Sequence, residues 1–522
     1  MNEVWIAAVN TGHNSSVCLL KNGEIVFHIE EERLSRIKYD DMPLMAITKI
    51  KEYTNKLDYF ILIDEKHKTN EDNVFIRLVC KLGLVESFSS PKIIVGDPMP
   101  HHLYHAAGAF YNSGFNDAVV VVVDAGGGIH KDKDGNHIGL ETESVYTIEY
   151  PSKINCVISH IGTYQTHLRV GAMYSGLSMA LGHGPLDCGK AMGLSTYGKP
   201  DDAIPPVSEI FEHNPNAYTH PTIKDFANYN KQNLCYAVQK FTEQQMVNTI
   251  TNALNITGKK NLVLTGGVAL NCVANYEYLR CLPPDVKIFV DPPSYDGGLS
   301  IGAAKLYHNV LFPSKPTKQN SFCLGPVPTY NYKLPSTLTE QEATYDDIVE
   351  LLTQGNIVAM YQGRAETGPR ALGNRSILFD PRIKNGKDVV NSVKHREWYR
   401  PFAGTVMKEY VNEWFDMRGL EESPSMMFAV NVLPRKQKKI PAITHIDSSC
   451  RVQTVTKDQN EHFYNLIEAF NRKTNVPILF NTSFNLAGDP LVETIEEAFE
   501  TLLKSEIEFL YLPERNKLIR KL

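Results

Sequence analysis

The sequence predicts an α/β protein with more than one domain. Apolar strands end repeatedly in Gly- and Asp-bearing turns that open helices, and residues 119–123 are five consecutive Val, which suit a strand covered on both faces. The 522 residues also exceed what one hydrophobic core usually organises. A hydrophobic content of 43% and a charged content of 21% are those of a globular chain.

Residues 3–10 form the first expected strand and 16–20 the second, with the turn Lys21-Asn22-Gly23-Glu24 closing a hairpin onto a third at 25–29. Short buried strands follow at 59–63, 93–95 and 119–123. The pattern then gives a helix at 242–255, a strand at 261–264, a Gly266-Gly267 turn into a helix, a strand at 286–290, and an Ala-rich helix after the loop 291–298. Beyond His308, Pro313, Pro316, Pro326, Pro328 and Pro335 interrupt any periodicity and read as an interdomain linker. The second domain opens with a helix at 345–352 and a strand at 357–361. It continues with a helix at 458–472, a strand at 476–480 and a capping box, Thr494-Ile495-Glu496-Glu497, that starts a last helix. The expected division is 1–325, a linker at 326–340, and 341–522.

The net charge of −6 excludes a globally basic nucleic-acid coat. No apolar run approaches the length of a membrane span, and the N-terminus lacks a basic, cleavable leader. Nine Cys scattered without a CxxC read as reduced thiols, so a cytoplasmic, soluble protein is expected.

Four strand-end turns carry chemistry: residues 10–16 with His13 and Asn14, Asp124-Ala125-Gly126-Gly127-Gly128, the turn at Gly266-Gly267, and residues 294–298 with Asp296. Small residues there let backbone N–H groups approach a phosphate, which makes Asn14, Gly126, Gly127, Gly266 and Gly267 candidate nucleotide-contacting positions. His101 and His105 lie four residues apart, on one face of a helix expected to follow Pro98 and Pro100. With 17 His in the chain, about half such a pair arises by chance. Asp124 and Asp296, both at loop ends, could join them to bind Fe²⁺, Mn²⁺ or Zn²⁺. His102, one residue out of phase, is expected at the surface or behind the ligands.

Between Arg364 and Arg400 nine basic residues stand against four acidic ones, a local charge of +5 interleaved with Gly, Pro and aromatic residues. Converging Arg side chains suit a polyanion such as ATP or an acyl phosphate, and a basic docking patch is the bland alternative. Asn481-Thr482-Ser483-Phe484-Asn485 adds amide and hydroxyl groups after a buried strand.

Several separated segments together resemble the NodU/CmcH family of O-carbamoyltransferases. They are GHNSS (12–16), EERLSRIK (31–38), HHLYH (101–105), VVDAGGG (122–128), GKAMGLSTYG (189–198), TGGVALNC (265–272), YDGG (295–298), GRAETGPRALGNRSIL (363–378), KHREWYRPFA (394–403), SSCRVQTV (448–455) and NTSFN (481–485). The resemblance implies an N-terminal domain of the actin-like, sugar-kinase and heat-shock ATPase fold and a C-terminal YrdC-like α/β domain. It implies that the second domain makes carbamoyl-adenylate from carbamoyl phosphate and ATP with Mg²⁺, and that the first passes the carbamoyl group to an acceptor hydroxyl. His101, His105, Asp124 and Asp296 match the family's metal ligands, and His13 matches a His beside the transfer centre. Arg370, Lys394, Arg400, Arg451 and Ser483 match positions around carbamoyl phosphate and ATP, with Arg375 and Asn481 as further candidates. One departure is Cys188 before Gly189-Lys190, where the family has Glu.

The expected acceptor is a hydroxyl on a sugar or other small molecule, or a hydroxymethyl nucleobase, free or in DNA; no membrane partner is expected, and a homodimer is the default assembly. An ATP-dependent sugar kinase would explain the Gly turns and leave the Arg-rich domain without work. A nucleotide-gated binding module would make no product at all.

Overall fold

The computed structural model describes residues 3–63, 72–96, 101–131, 134, 137–162, 170–212 and 221–522. Pro98 and Pro100 lie outside these residues. The α/β class holds throughout, and the chain divides into two compact units: residues 1–35 with 39–319, and residues 36–38 with 320–522.

The first unit contains two larger sheets among its described residues. In the first, β1 (Trp5–Asn10), β2 (Ser16–Lys21), β3 (Glu24–Glu30), β4 (Tyr59–Ile63) and β5 (Ile93–Gly96) take the order β3-β2-β1-β4-β5. β1 is antiparallel to β2 and parallel to β4. After helix α1 (His101–Ser113), the second sheet uses β6 (Asp117–Val123), β7 (Ile129–Lys131), β8 (His137–Glu149), β9 (Lys153–Gly162), β10 (Asn261–Thr265) and β11 (Lys287–Val290). β6 is antiparallel to β8 and parallel to β10, so the two sheets repeat one plan around β1 and β6. This arrangement suits the actin-like half that the resemblance implies. The His13 turn leaves the carboxyl end of β1 and Asp124 leaves that of β6, which are equivalent places in the plan.

Burial explains why the five-Val run is a strand. Val119 to Val123 are at most 1% exposed, and Val120 and Val122 share a core with Ile6, Ala8, Phe110 and Ile301. That core includes α1 and helix α2 (Leu299–Leu311) together with residues of both sheets. The helices meet at glycines: a Cβ on Gly302 would lie 1.9 Å from the Tyr104 carbonyl oxygen, and one on Gly108 would lie 3.1 Å from Gly302 Cα. Any side chain at Gly302 would push α1, with His101 and His105, off its seat.

The second unit is built on a ten-stranded mixed sheet. Its strands are β12 (Leu338–Glu342), β13 (Val358–Tyr361), β14 (Arg375–Phe379), β15 (Ala403–Met407), β16 (Phe415–Asp416), β17 (Ala429–Val432), β18 (Ser449–Val455), β19 (Ile478–Ser483), β20 (Phe509–Leu512) and β21 (Lys517–Lys521), in the order β12-β21-β20-β13-β14-β19-β15-β18-β17-β16. The stretch 326–340, read as a linker, differs from expectation. It belongs to this unit, and Leu338–Glu342 pairs antiparallel with Lys517–Lys521. Proline spacing signals a lack of helix but says nothing about pairing with a strand some 180 residues away. The capping box at Thr494 is present, with Thr494 Oγ1 accepting from the Glu497 N–H and the Glu497 carboxylate accepting from the Thr494 N–H.

Candidate functional site

Helix α1 presents His101 and His105 on one face, and the turn after β6 and the turn before α2 bring in Asp124 and Asp296. His101 Nε2 and His105 Nε2 are 3.2 Å apart. Asp296 Oδ1 lies 3.5 Å from the first and 3.4 Å from the second, and Asp124 Oδ2 lies 3.4 Å from His105 Nε2. One donor atom from each of the four falls within 4.8 Å of every other. Donors about 2.0–2.2 Å from a common ion stand about 3–3.5 Å apart around it, the spacing of the four donor pairs measured above. Asp124 Oδ1 accepts from the Ala125 N–H at 2.6 Å, whereas its buried Oδ2 has no hydrogen-bond partner. An orphaned carboxylate oxygen 3.4 Å from the His105 Nε2 fits a divalent transition metal. Burial disfavours charge on His105, but the carboxylates of Asp124 and Asp296 outweigh it and raise its pKa to about 9. The metal-free site therefore holds a proton that an ion must displace.

The predicted glycines serve this nest by letting segments approach. A Cβ on Gly127 would lie 2.8 Å from the His102 ring, and one on Gly267 would lie 3.0 Å from Asp124 Oδ1. Gly266 has a φ of +83°, and a Cβ there would lie 2.3 Å from the Val123 carbonyl oxygen. Gly126 is part-exposed in the same turn. His102 is not at the surface: its ring is fully buried, with Nδ1 2.8 Å from Ser144 Oγ. Glu141, which sequence reasoning passed over, accepts from the backbone N–H groups of His102 and Gly128, at 3.1 and 3.3 Å. It thereby ties the first turn of α1 to the Asp124 turn.

His13 is half exposed at the mouth of the nest, its Nε2 3.3 Å from Asp296 Oδ2. Asn14, expected to touch nucleotide, faces His13 Nδ1 at 3.2 Å and Glu30 at 3.4 Å. The Asp296 turn is fastened from the first sheet, with Asn10 donating to the Asp296 carbonyl at 3.1 Å and His28 Nε2 lying 2.8 Å from the Gly297 carbonyl oxygen. Burial pushes the His28 pKa down to about 4. The folded imidazole is neutral while the unfolded one takes a proton below about 6.5, so this stability is complete above 6.5 and drains away as pH falls toward 4. Urea unfolding should show His28 costing about 2 kcal/mol between pH 6.5 and pH 5, a loss absent in His28→Gln. Cys188, where the family has Glu, is a half-buried thiol whose pKa desolvation raises to about 11, so it offers no charge.

In the second unit Lys394 is 2% exposed, and its ammonium donates to the Ser483 carbonyl, to Ser483 Oγ at 3.2 Å and to Asn485 Oδ1 at 3.0 Å. These are neutral acceptors. Burial, then Arg396 and Arg400, lower the Lys394 pKa well below the usual range. Arg396 was counted in the basic run without being chosen, yet it sits at the centre: burial, then Arg400, Arg451 and Arg370, disfavour its charge. Glu397 is the acid that answers it, and Glu397 also pairs with Arg400 at 3.4 Å. Since guanidinium keeps its proton, the crowding calls for an anion.

Arg375 requires a correction. It is fully buried, with its guanidinium stacked 3.7 Å over the Tyr361 ring and spent on the carbonyls of Gln362, Gly363, Asn374 and Glu493. It holds the Gly-rich loop by its backbone carbonyls. Asn481 is also fully buried, donating to the Ala371 carbonyl, Thr405 Oγ1 and Gln453 Oε1. Among the described residues no helix is long and apolar enough to cross a membrane.

Comparison with known proteins gives matches in both halves. The Carbamoyltransferase N-terminus family matches residues 45–232 and 210–305, and the Carbamoyltransferase C-terminus family matches 349–521. Nodulation protein NolNO of Sinorhizobium fredii is 31% identical over 95% of this chain and 78% of its own. The 3'-hydroxymethylcephem-O-carbamoyltransferase of Amycolatopsis lactamdurans is 29% identical over 60% of this chain and 61% of its own. Among solved structures, full-length HypF in its phosphate- and nucleotide-bound form is 13% identical and covers 60% of this chain and 56% of its own, with a TM-score of 0.36. The family matches in both halves, with a relative aligned along nearly the whole length, place the chain in the carbamoyltransferase family.

Proposed function

We propose that the protein is an ATP-dependent O-carbamoyltransferase that works in two stages. In the second, YrdC-like unit, water hydrolyses carbamoyl phosphate to carbamate and phosphate, and the carbamate oxygen attacks the α-phosphorus of ATP. Carbamoyl-adenylate forms and pyrophosphate leaves. In the first, actin-like unit, an acceptor hydroxyl attacks the carbamoyl carbon, the bond to AMP breaks, and the hydroxyl proton passes to a base. The acceptor is a sugar or small-molecule hydroxyl, or a hydroxymethyl nucleobase.

The observation that carries this reading is the pairing of two unlike centres in one carbamoyltransferase-family chain. One is a crowded cationic cluster around Lys394 and Arg396, with Glu397 beside it, and the other is a four-donor nest with an exposed imidazole beside it. Carbamate is a poor electrophile because its nitrogen lone pair and negative charge both deactivate the carbonyl, so an adenylate leaving group is needed. Lys394, Arg396, Arg400, Arg451 and Arg370 offset the negative charge that crowds together when two anions react. Ser483, hydrogen-bonded to Lys394, orients that ammonium. His101, His105, Asp124 and Asp296 would hold the divalent ion, which supplies Lewis-acid polarisation and a template for the adenylate phosphate. His13 accepts the acceptor's proton at Nε2, where its Asp296 neighbour stabilises the imidazolium.

The test is His13→Asn, assayed by mass spectrometry for carbamoylated acceptor and separately for pyrophosphate release dependent on carbamoyl phosphate. Transfer should fall at least about a hundredfold while pyrophosphate release stays within about twofold. Equal loss of both would refute the division of labour.

A further inference from the structure

We infer that Glu366 is a positioning residue: its buried carboxylate folds residues 366–375 into a closed loop and so sets Arg370, at the tip of that loop, against the anion held by the cationic cluster. The inference rests on the reading of that cluster as the carbamoyl phosphate and ATP site, and it adds a carboxylate to a centre otherwise made of cations.

One oxygen ties the loop from within. Glu366 is 3% exposed, and its Oε1 accepts the backbone N–H groups of Leu372 at 2.7 Å, Asn374 at 2.8 Å and Arg375 at 3.1 Å. Its Oε2 is buried without a hydrogen-bond partner, so the carboxylate bonds to backbone alone and leaves the Arg370 guanidinium to a ligand. Hydrogen bonds from N–H groups to an ionised carboxylate are about twice as strong as neutral ones, which suits a loop that must not move.

The sheet ties the same segment from the other side. Gln453 Nε2 donates to the Leu372 carbonyl at 2.8 Å, and Asn481 Nδ2 donates to the Ala371 carbonyl at 3.3 Å. Gln453 lies two residues from Arg451 on β18 and Asn481 two from Ser483 on β19, so each shares a face with its neighbour. Ala403 on β15 pairs with both Arg451 and Asn481, which puts all four side chains on one face of the sheet. The loop therefore lies over the face that carries Arg451 and Ser483, and Arg370 is one of the cations crowding Arg396.

Between Glu366 and Arg370 the chain has little freedom. The Thr367 N–H donates to the Phe322 carbonyl at 2.6 Å, Gly368 has a φ of +99°, and the Pro369 ring fixes its own φ. Pro369 is exposed and Arg370 half-buried, whereas residues 371–380 are buried. Arg370 thus stands between a stiff turn and a segment that Glu366 anchors. What this anchoring requires is an acceptor atom at the place of Oε1. Glu366→Gln keeps that atom and breaks no bond at Oε2, while Glu366→Asp keeps the charge and draws the acceptor back by one methylene.

The test is calorimetric titration of the full-length protein with inorganic pyrophosphate, which probes the anion site without acceptor or turnover. Arg370→Met and Glu366→Asp should each weaken pyrophosphate binding about tenfold or more, and Glu366→Gln by less than about threefold. The double variant Glu366→Asp/Arg370→Met should match Arg370→Met within about twofold, because Glu366 acts through Arg370. Glu366→Met, similar in length and without an acceptor, gives the same reading should Glu366→Asp not fold. A carboxylate that only stabilises the fold would lower the melting temperature and leave the affinity of the folded protein unchanged. That result, multiplied effects in the double variant, or a Glu366→Gln as weak as Glu366→Asp overturns the inference and leaves the anion site standing. Unchanged affinity in Arg370→Met would instead remove Arg370 from the anion site itself.

Discussion

Asp296→Asn should weaken divalent-metal binding by at least about a hundredfold and abolish carbamoyl transfer, with pyrophosphate release intact. Asp296 is the most connected of the four donors: Oδ1 lies within 3.5 Å of both imidazole nitrogens, and Oδ2 faces His13. The amide keeps the shape and removes the negative charge. It also offers either a neutral oxygen or an NH₂ donor where a lone pair is required. Asp124→Asn makes the matched comparison, because Asp124 touches His105 without facing His13. Both variants should lose metal in a calorimetric titration with Mn²⁺, and only Asp296→Asn should also disturb the ¹⁵N NMR signals of the His13 ring. Unchanged Mn²⁺ affinity in both would remove the nest as a metal site.

Arg375→Met and Arg396→Met should move stability and ligand binding in opposite directions. Arg375→Met takes the guanidinium donor from the Gln362 and Gly363 carbonyls, leaves the Asn374 and Glu493 carbonyls with one donor fewer, and removes a ring contact, costing about 3–5 kcal/mol in urea unfolding. Arg396→Met relieves repulsion from Arg400, Arg451 and Arg370, so its stability should be unchanged or slightly higher. It should, however, abolish the rise in melting temperature that ATP or pyrophosphate gives the wild type. A stable Arg375→Met, or an Arg396→Met still stabilised by pyrophosphate, would reverse the roles assigned to these two arginines.

That contrast shows where the sequence was legible. The strands at 59–63 and 119–123 stand out because their apolar runs are buried on both faces, and the last helix announces itself through Thr494 and Glu497. His101 and His105 were readable because helix geometry alone places residues four apart on one face. Arg375 and Arg396 look alike in a basic run; only long-range structure shows that one guanidinium meets carbonyls while the other meets cations. Glu30 and Glu141 were silent for the same reason. A single acid at the end of β3 or in the segment 137–144 acquires its role when Tyr295, Asn14 or His102 folds against it. The strand at Leu338–Glu342 hid behind prolines because its partner is the far end of the chain.

The glycine crossing of α1 on α2 bears on how the nest answers mechanical load. Backbone meets backbone at Tyr104 and Gly302, with no side chain between to hop rotamers and little void to squeeze out. Compression acts on empty volume, so hydrostatic pressure gains little by loosening this joint. The spacing of the two imidazoles is accordingly set by a nearly incompressible contact.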